Sequence, residues 1–184
     1  MTSVRAFLDF SDPYHPAGPR LQARLAQPRA VLQADTLDAV HGVINAVQHA
    51  AVGGAWCVGY VRYEAAAAFD TAYTTHAADG PLAWFAVFDA PSTDALAPEP
   101  LGAASVEWTD ALSRSDFDAV HQHIQQAIAN GECYQVNATA PVQGRLHGSA
   151  SALFAALQGV QPGGYAAHLE CGDGVQVLSV SPEL

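Results

Sequence analysis

The most informative absence in this chain of 184 residues is lysine, because all seven basic residues are arginines. A Schiff base, a P-loop and an amine nucleophile each need a lysine amino group, so the chain alone completes none of these sites. The formal net charge is -11 at pH 7. That balance argues against nucleic acid and against anionic membrane surfaces as partners.

Cysteine is also scarce, and the three residues Cys57, Cys133 and Cys171 lie far apart. Their odd number and wide spacing favour neither a disulfide framework nor a paired metal site, so we expect small buried side chains. The two pairs of histidines that lie near each other on predicted helices are spaced unsuitably for binding one metal ion, so we predict no metal ligand. No apolar run approaches the roughly 20 residues that span a bilayer, and the N-terminus lacks signal-peptide features. We expect a cytoplasmic protein without membrane contact.

Apolar periodicities and turn residues predict an α+β fold with strands and helices in irregular alternation. A linker rich in proline at 91–104 separates a predicted N-terminal domain, 1–90, from a second domain, 105–184. Glu64 ends a predicted buried strand. A catalytic carboxylate is one alternative for it, and we expect instead a structural role, paired with Arg62 or a backbone amide. The predicted strands are 4–10, 30–33, 56–64, 82–88, 105–108, 133–142, 165–169 and 175–180. The predicted helices are 37–51, 65–69, 115–130 and 152–157.

The helix predicted from Ser115 leads directly into a strand that bears polar side chains. Ser115 is a suitable N-cap, and Asn130-Gly131 is a typical stop. An apolar stripe that includes Phe117 and Val120 predicts one buried face. In the strand, Gln135 and Asn137 share one side, and their amides need hydrogen-bond partners in the protein or in a ligand.

Three segments in order resemble motifs of the chorismate-utilising enzymes. Residues 131–137 (Gly-Glu-Cys-Tyr-Gln-Val-Asn) resemble a Gly-Asp/Glu-x-Tyr/Phe-Gln-Val-Asn strand, and residues 56–64 resemble a Gly-Tyr-x-x-Tyr-Glu strand. Residues 181–184 resemble the Ser-Pro-Glu signature. The resemblance implies mixed, mainly antiparallel sheets packed with helices, like anthranilate synthase component I. Because the family's lysine segment lies beyond Ser-Pro-Glu, it also implies that the chain is truncated within the chorismate-binding domain.

The resemblance implies chemistry in which ammonia is added to chorismate at a Mg²⁺ site. In the aminodeoxychorismate branch, a lysine attacks the ring as a hydroxyl departs, and the glutamate of Ser-Pro-Glu acts as acid and base. The resemblance assigns that role to Glu183. The alternative interpretation is that Glu183 is an ordinary exposed carboxylate at the end of a strand. The lysine and the magnesium ligands belong to segments beyond this chain, so we expect no conversion of chorismate by the chain alone.

An effector pocket, which holds tryptophan in some members, is a second implication of the resemblance. It assigns Ser11, Tyr134 and Tyr165 to that pocket. From the residues themselves, a turn hydroxyl for Ser11 and core packing for both tyrosines are the alternatives. The sequence departs from the tryptophan-binding relatives at Gly163-Gly164, where those relatives carry a proline.

Residues 56–60 and 82–85 resemble most the branch that makes aminodeoxychorismate for p-aminobenzoate and folate. Anthranilate synthase component I, for tryptophan synthesis, is one alternative. A non-catalytic effector-binding or scaffold domain is another. The partners implied are chorismate, a glutamine amidotransferase subunit that supplies ammonia and, in some members, a fused lyase domain.

Overall fold

Antiparallel strand pairing organises the computed structural model, which describes residues 4–12, 14–15, 17–92, 102–110, 112–161 and 163–181. All six strand pairings in these ranges are antiparallel, and helices pack on the sheets, which confirms the predicted α+β class. None of the described helices has the length and apolar character needed to cross a membrane. The strands are β1 Arg5–Ser11, β2 Arg20–Ala26, β3 Ala30–Ala34, β4 Trp56–Val61, β5 Ala83–Phe88, β6 Ser105–Asp110, β7 Gln143–His147, β8 Gly164–Glu170 and β9 Gln176–Ser181. The helices are α1 Leu37–Val52, α2 Ala66–Phe69, α3 Arg114–Ala129 and α4 Ala150–Val160.

Two sheets pack face to face around the main core. One sheet has the order β2-β1-β8-β9 and the other the order β3-β5-β4. Side chains alternate along each strand, so every second residue points between the sheets. Leu8 and Leu25 from the first sheet meet Trp84 and Phe88 from the second, and all four are buried. Complete burial of a side chain such as Leu25 contributes about 1.5–3 kcal/mol.

Each sheet is covered on its other face by a helix. Helix α1 packs on the three-stranded sheet, where Val40 lies against Ala34 and Ala83. Helix α4 covers the four-stranded sheet, and the Phe154 ring meets Phe7 edge-on with the ring centroids 6.0 Å apart. The result is a helix-sheet-sheet-helix sandwich that combines the N-terminal strands with the last two strands of the chain.

The chain divides into two compact units, Met1–Leu101 with Ala150–Leu184, and Gly102–Ser149. The first unit contains the sandwich. The second contains α3 and the sheet formed by β6 and β7. The predicted domains, 1–90 and 105–184 with a linker between them, stay a prediction.

Helix α3 begins two residues earlier than predicted. Its N-cap is Ser113, whose side-chain oxygen accepts a hydrogen bond from the Asp116 amide at 3.1 Å. The Ser115 hydroxyl lies 2.9 Å from that of Ser113, inside the first turn. Both serines are suitable capping residues, and the one that reaches an amide three positions on sets the boundary.

Two predictions in the second unit are wrong. The apolar face of α3 is not buried, since Phe117 is 52% and Val120 is 44% exposed. Residues 133–142 form a loop rather than a strand, and the strand follows at β7. A strand exists through hydrogen bonds to a neighbour, and an apolar stripe is buried only by a packing partner. The local sequence pattern specifies neither the neighbouring strand nor the packing partner.

Candidate functional site

Strands β1 and β8 bring two of the predicted effector residues together. Their register pairs Phe10 with Tyr165 and Ser11 with Gly164. The Phe10 and Tyr165 rings are edge-to-face, with centroids 5.5 Å apart. Positive φ values of 84° at Gly163 and 99° at Gly164 shape the turn into β8. Glycine adopts this region without steric penalty, whereas proline, fixed near -65°, is excluded from it.

A cavity of about 400 Å³ opens beside this pair of strands. We call it the Ser11–Tyr165 cavity, and its volume and mixed lining suit a small molecule with an apolar body and a polar group. Aromatic and aliphatic side chains make one part of the wall, and charged and hydroxyl groups make the other. The lining residues are Phe10, Ser11, Asp12, Pro19, Arg20, Leu21 and Tyr165.

Behind the wall, the carboxylate of Asp9 organises a polar network. Asp9 is only 8% exposed. Arg20 donates from Nε to Oδ1 at 2.7 Å and from Nη2 to Oδ2 at 2.5 Å. Oδ2 also accepts from Gln22 Nε2 at 3.2 Å and from Gln158 Nε2 of α4 at 3.3 Å. A buried carboxylate is stable in the fold only when it is paired in this way.

The hydrogen bonds from Arg20 hold the pKa of Asp9 below its ordinary value, and burial opposes that effect less strongly. Since the native state binds this proton less tightly than the unfolded chain does, ionised Asp9 stabilises the fold at neutral pH. That contribution is complete above the unfolded pKa, about 4, and is lost as the pH falls through the lower native value.

We therefore expect Asp9→Asn to lower the stability at pH 7, and the difference from wild type to shrink as the pH falls below about 4. Urea unfolding followed from pH 7 to pH 3 measures both effects. Asp89→Asn is the matched control, because Asp89 is an exposed carboxylate paired with Arg29 and exposed pairs contribute little. A wild-type-minus-D9N difference that is constant over this range would contradict the assignment.

A second cavity, of about 290 Å³, lies near the start of α1. Glu64 is among its lining residues, but the predicted pairing of Glu64 with Arg62 is wrong. Arg62 Nη1 instead donates to Asp79 Oδ1 at 2.6 Å. The backbone carbonyl of Glu64 accepts from Thr75 Oγ1 at 3.3 Å. The structural role expected for the Glu64 carboxylate stays a prediction.

The cysteines offer no reactive thiol in the described sandwich. Cys171 is buried in the core, and burial, with Asp173 nearby, raises its pKa to about 11. Burial also raises the pKa of Cys57, whose Sγ donates to the Val47 carbonyl at 3.7 Å. The thiolate is the nucleophilic form, so neither sulfur is activated at neutral pH.

Comparison with known proteins identifies the family of this chain. The family model described as chorismate binding enzyme matches residues 90–184. The chain belongs to the chorismate-binding enzymes. No curated protein and no solved structure matches it.

The family match includes α3, α4, β8 and β9 together with the Ser-Pro-Glu segment. Ser181 ends β9, whereas Glu183 lies outside the described residues. Its catalytic role stays a prediction. Among the residues that the structure does describe, no group of three or more His, Cys, Asp or Glu side chains could hold a metal ion. The described residues therefore do not fit a magnesium site.

Tyr134, the third predicted effector residue, belongs to the second unit. Its side chain is 95% exposed, in the loop that replaces the predicted strand. The same loop includes Gln135 and Asn137, whose amides are exposed instead of lining a half-buried strand. The role of Tyr134 in this chorismate-binding enzyme stays a prediction.

Sequence reasoning missed β2 and, with it, Arg20 and the Asp9 network. A signal was present, because residues 20–25 alternate strictly between polar and apolar side chains. The buried members Ala23 and Leu25 face the core, while Arg20 and Gln22 reach Asp9 on the other face. The pairing with Asp9 follows from the register of β1 and β2, which sequence alone does not supply.

Proposed function

We propose that this chain is the front part of an aminodeoxychorismate synthase component I, which adds ammonia to chorismate to give 4-amino-4-deoxychorismate for p-aminobenzoate and folate synthesis. Family membership supports chorismate as the substrate. The resemblance of residues 56–60 and 82–85 to the aminodeoxychorismate branch supports the product, and in the fold these two tracts lie on paired strands. Tyr60 of β4 lies opposite Trp84 of β5, and their rings stack with centroids 6.2 Å apart.

Glu183 is the proposed acid and base of this reaction. Hydroxide is too basic to leave a carbon atom readily, so its departure needs a proton donor in the transition state. The proposed mechanism also needs an amine nucleophile, and the 184 residues contain no lysine. The active protein must therefore join this chain to a segment that supplies the lysine and the Mg²⁺ ligands. A glutamine amidotransferase subunit is the proposed source of ammonia, and a fused lyase domain is a further proposed partner.

The Ser11–Tyr165 cavity is the proposed effector site. Phe10 and Leu21 offer contacts for an aromatic body, and Arg20 offers donors for a carboxylate. The turn at Gly163-Gly164 has a conformation that proline does not adopt. The turn that leads to Tyr165 of the cavity wall therefore differs from the tryptophan-binding relatives, which carry a proline there.

Product analysis tests the proposed activity. The complete enzyme, supplied with chorismate, ammonium and Mg²⁺, is expected to form a product that keeps the pyruvyl ether, identified by mass. Formation of anthranilate would favour anthranilate synthase component I instead. The purified 184-residue chain is the matched control, and turnover by it would contradict the requirement for a lysine.

A non-catalytic effector-binding or scaffold domain is the second candidate, favoured by the complete absence of lysine. This candidate predicts that the protein binds a ligand and that no complex containing it converts chorismate. Expression of the native gene product and a search for lysine in its intact mass and peptides separates the two. A gene product without lysine, inactive on chorismate but able to bind small aromatic acids, would favour the second candidate.

A further inference from the structure

The end of helix α3 contains a chemically reactive pair of residues, Asn130 and Gly131. The chain has three asparagines, and the other two, Asn45 and Asn137, are each followed by alanine. The backbone nitrogen that follows an asparagine can attack the Cγ atom of its side chain. Glycine obstructs this approach least, because it has no Cβ and its backbone rotates freely. The sequence therefore makes Asn130 the most reactive of the three.

Three hydrogen bonds restrain this pair while the last turn of α3 is closed. The Gly131 amide donates to the Ile128 carbonyl at 3.0 Å. Asn130 Oδ1 accepts from Gln126 Nε2 at 2.7 Å, and Asn130 Nδ2 donates to Glu132 Oε1 at 3.0 Å. A nitrogen whose proton is shared with a carbonyl gives that proton up less readily, and a carboxamide held at both atoms does not turn toward the backbone. The closed turn therefore protects Asn130.

The last turn of α3 has weak support within the described residues. Helix α3 has 16 residues, and none of them is buried by the part of the chain that the structure describes. Gln126, Asn130 and Glu132 are all exposed, so water competes for their hydrogen bonds. Most of the stability of a helix in a protein comes from tertiary packing, and helix ends open first. The turn that protects Asn130 is therefore one that opens readily.

We propose that Asn130 is a site of spontaneous deamidation, gated by opening of the last turn of α3. In the open turn, the Gly131 nitrogen gives its proton to hydroxide and bonds to Cγ of Asn130. The Cγ–Nδ2 bond breaks, and ammonia leaves with a proton from water. A second water molecule then opens the five-membered imide to give aspartate or isoaspartate. The new carboxylate lies at the negative end of the helix dipole and close to Glu132, so the reaction favours further opening.

Peptide mass spectrometry of the 184-residue chain, incubated at pH 8, tests the site. The peptide that contains Asn130 should gain the mass of the change from amide to acid, in aspartate and isoaspartate forms. Asn137 is the internal control, because it is exposed in a loop but followed by alanine, and it should react severalfold more slowly. Cleavage after Tyr134 separates the two asparagines. An unchanged Asn130, after an incubation that converts it in the urea-unfolded chain, would overturn the proposal.

Two glycine variants test whether the last turn is the gate. Ala127→Gly, within that turn, should speed the conversion of Asn130 by about fivefold, the factor that corresponds to the helix-propensity difference between alanine and glycine. Ala119→Gly is the matched control, because it makes the same substitution near the start of α3, and it should leave the rate nearly unchanged. Equal acceleration by both variants, or conversion of the folded wild type as fast as in urea, would overturn the proposal.

Discussion

Replacement of Glu183 by glutamine is expected to lower the rate of chorismate amination by the complete enzyme by about 10²- to 10⁴-fold. Glutamine keeps the size and the hydrogen-bonding shape of the side chain, but it has no proton to give to the departing hydroxyl. The loss should appear in kcat, since proton transfer is needed in the transition state and not for binding. Steady-state kinetics with ammonium as the nitrogen source measures it.

Glu64→Gln is the matched control for this variant. Glu64 is the last residue of another segment that resembles the family, and it lines the second cavity, in the first unit. Its replacement should leave kcat within a few-fold of wild type. Equal rates for E183Q and wild type would show that Glu183 is not the acid.

Gly59→Ala is expected to destabilise the fold by about 3 kcal/mol, at the upper end of the usual cost of overpacking. An added Cβ would overlap the Trp84 carbonyl oxygen and would lie 2.6 Å from Phe85 Cδ1 and 2.7 Å from Phe85 Cα. Backbone atoms of a central strand have no room to retreat. The melting temperature should fall by about 6–12 °C in a chain of this size.

Gly42→Ala is the control for that experiment. Gly42 lies within α1, and a Cβ there would meet nothing within 4 Å. Alanine favours a helix interior by about 1 kcal/mol over glycine, so the melting temperature should stay constant or rise slightly. A G59A protein that melts with the wild type would show that β4 and β5 are not packed as described.

The elements that sequence predicted well are those whose partners lie within the sandwich. Helix α1 is confirmed between its Thr36 cap position and the glycine stop, and the β8–β9 hairpin is confirmed around Gly172 and Gly174, both with positive φ. In each case, local periodicity and turn residues agree with a packing partner that the fold provides.

The predictions that failed concern elements whose structure depends on contacts with residues distant in sequence. Residues 133–142 have a strand-like pattern but remain a loop, and the apolar stripe of α3 is exposed. The strand β2 is the opposite case, because it was not predicted and yet forms. Its residues alternate between polar and apolar side chains, and β1 supplies the neighbouring strand with which it pairs. Long-range pairing decided each outcome.

For the candidate site, the resemblance identified Ser11 and Tyr165 as candidate residues. The register of β1 and β8 places both of them at one cavity. Neither pattern nor resemblance pointed to Asp9 or Arg20. In the sequence, a single acidic residue in a strand is typical of a solvent-exposed position. Asp9 is buried and hydrogen-bonded only because strand pairing and helix α4 bring its partners to it. Networks of this kind are set by tertiary structure.

We propose that this chorismate-binding chain serves an aminodeoxychorismate synthase, and the fate of the pyruvyl group tests that proposal most directly. Formation of anthranilate eliminates the pyruvyl group, whereas formation of aminodeoxychorismate keeps it. With the complete enzyme, chorismate and ammonium, the loss of chorismate is followed by its absorbance and pyruvate by a coupled lactate dehydrogenase assay, and the aromatic products are identified by mass and chromatography. The proposal predicts 4-amino-4-deoxychorismate without pyruvate, or p-aminobenzoate with pyruvate where a lyase domain is fused. Release of one pyruvate for each chorismate consumed, with anthranilate as the other product, would contradict it.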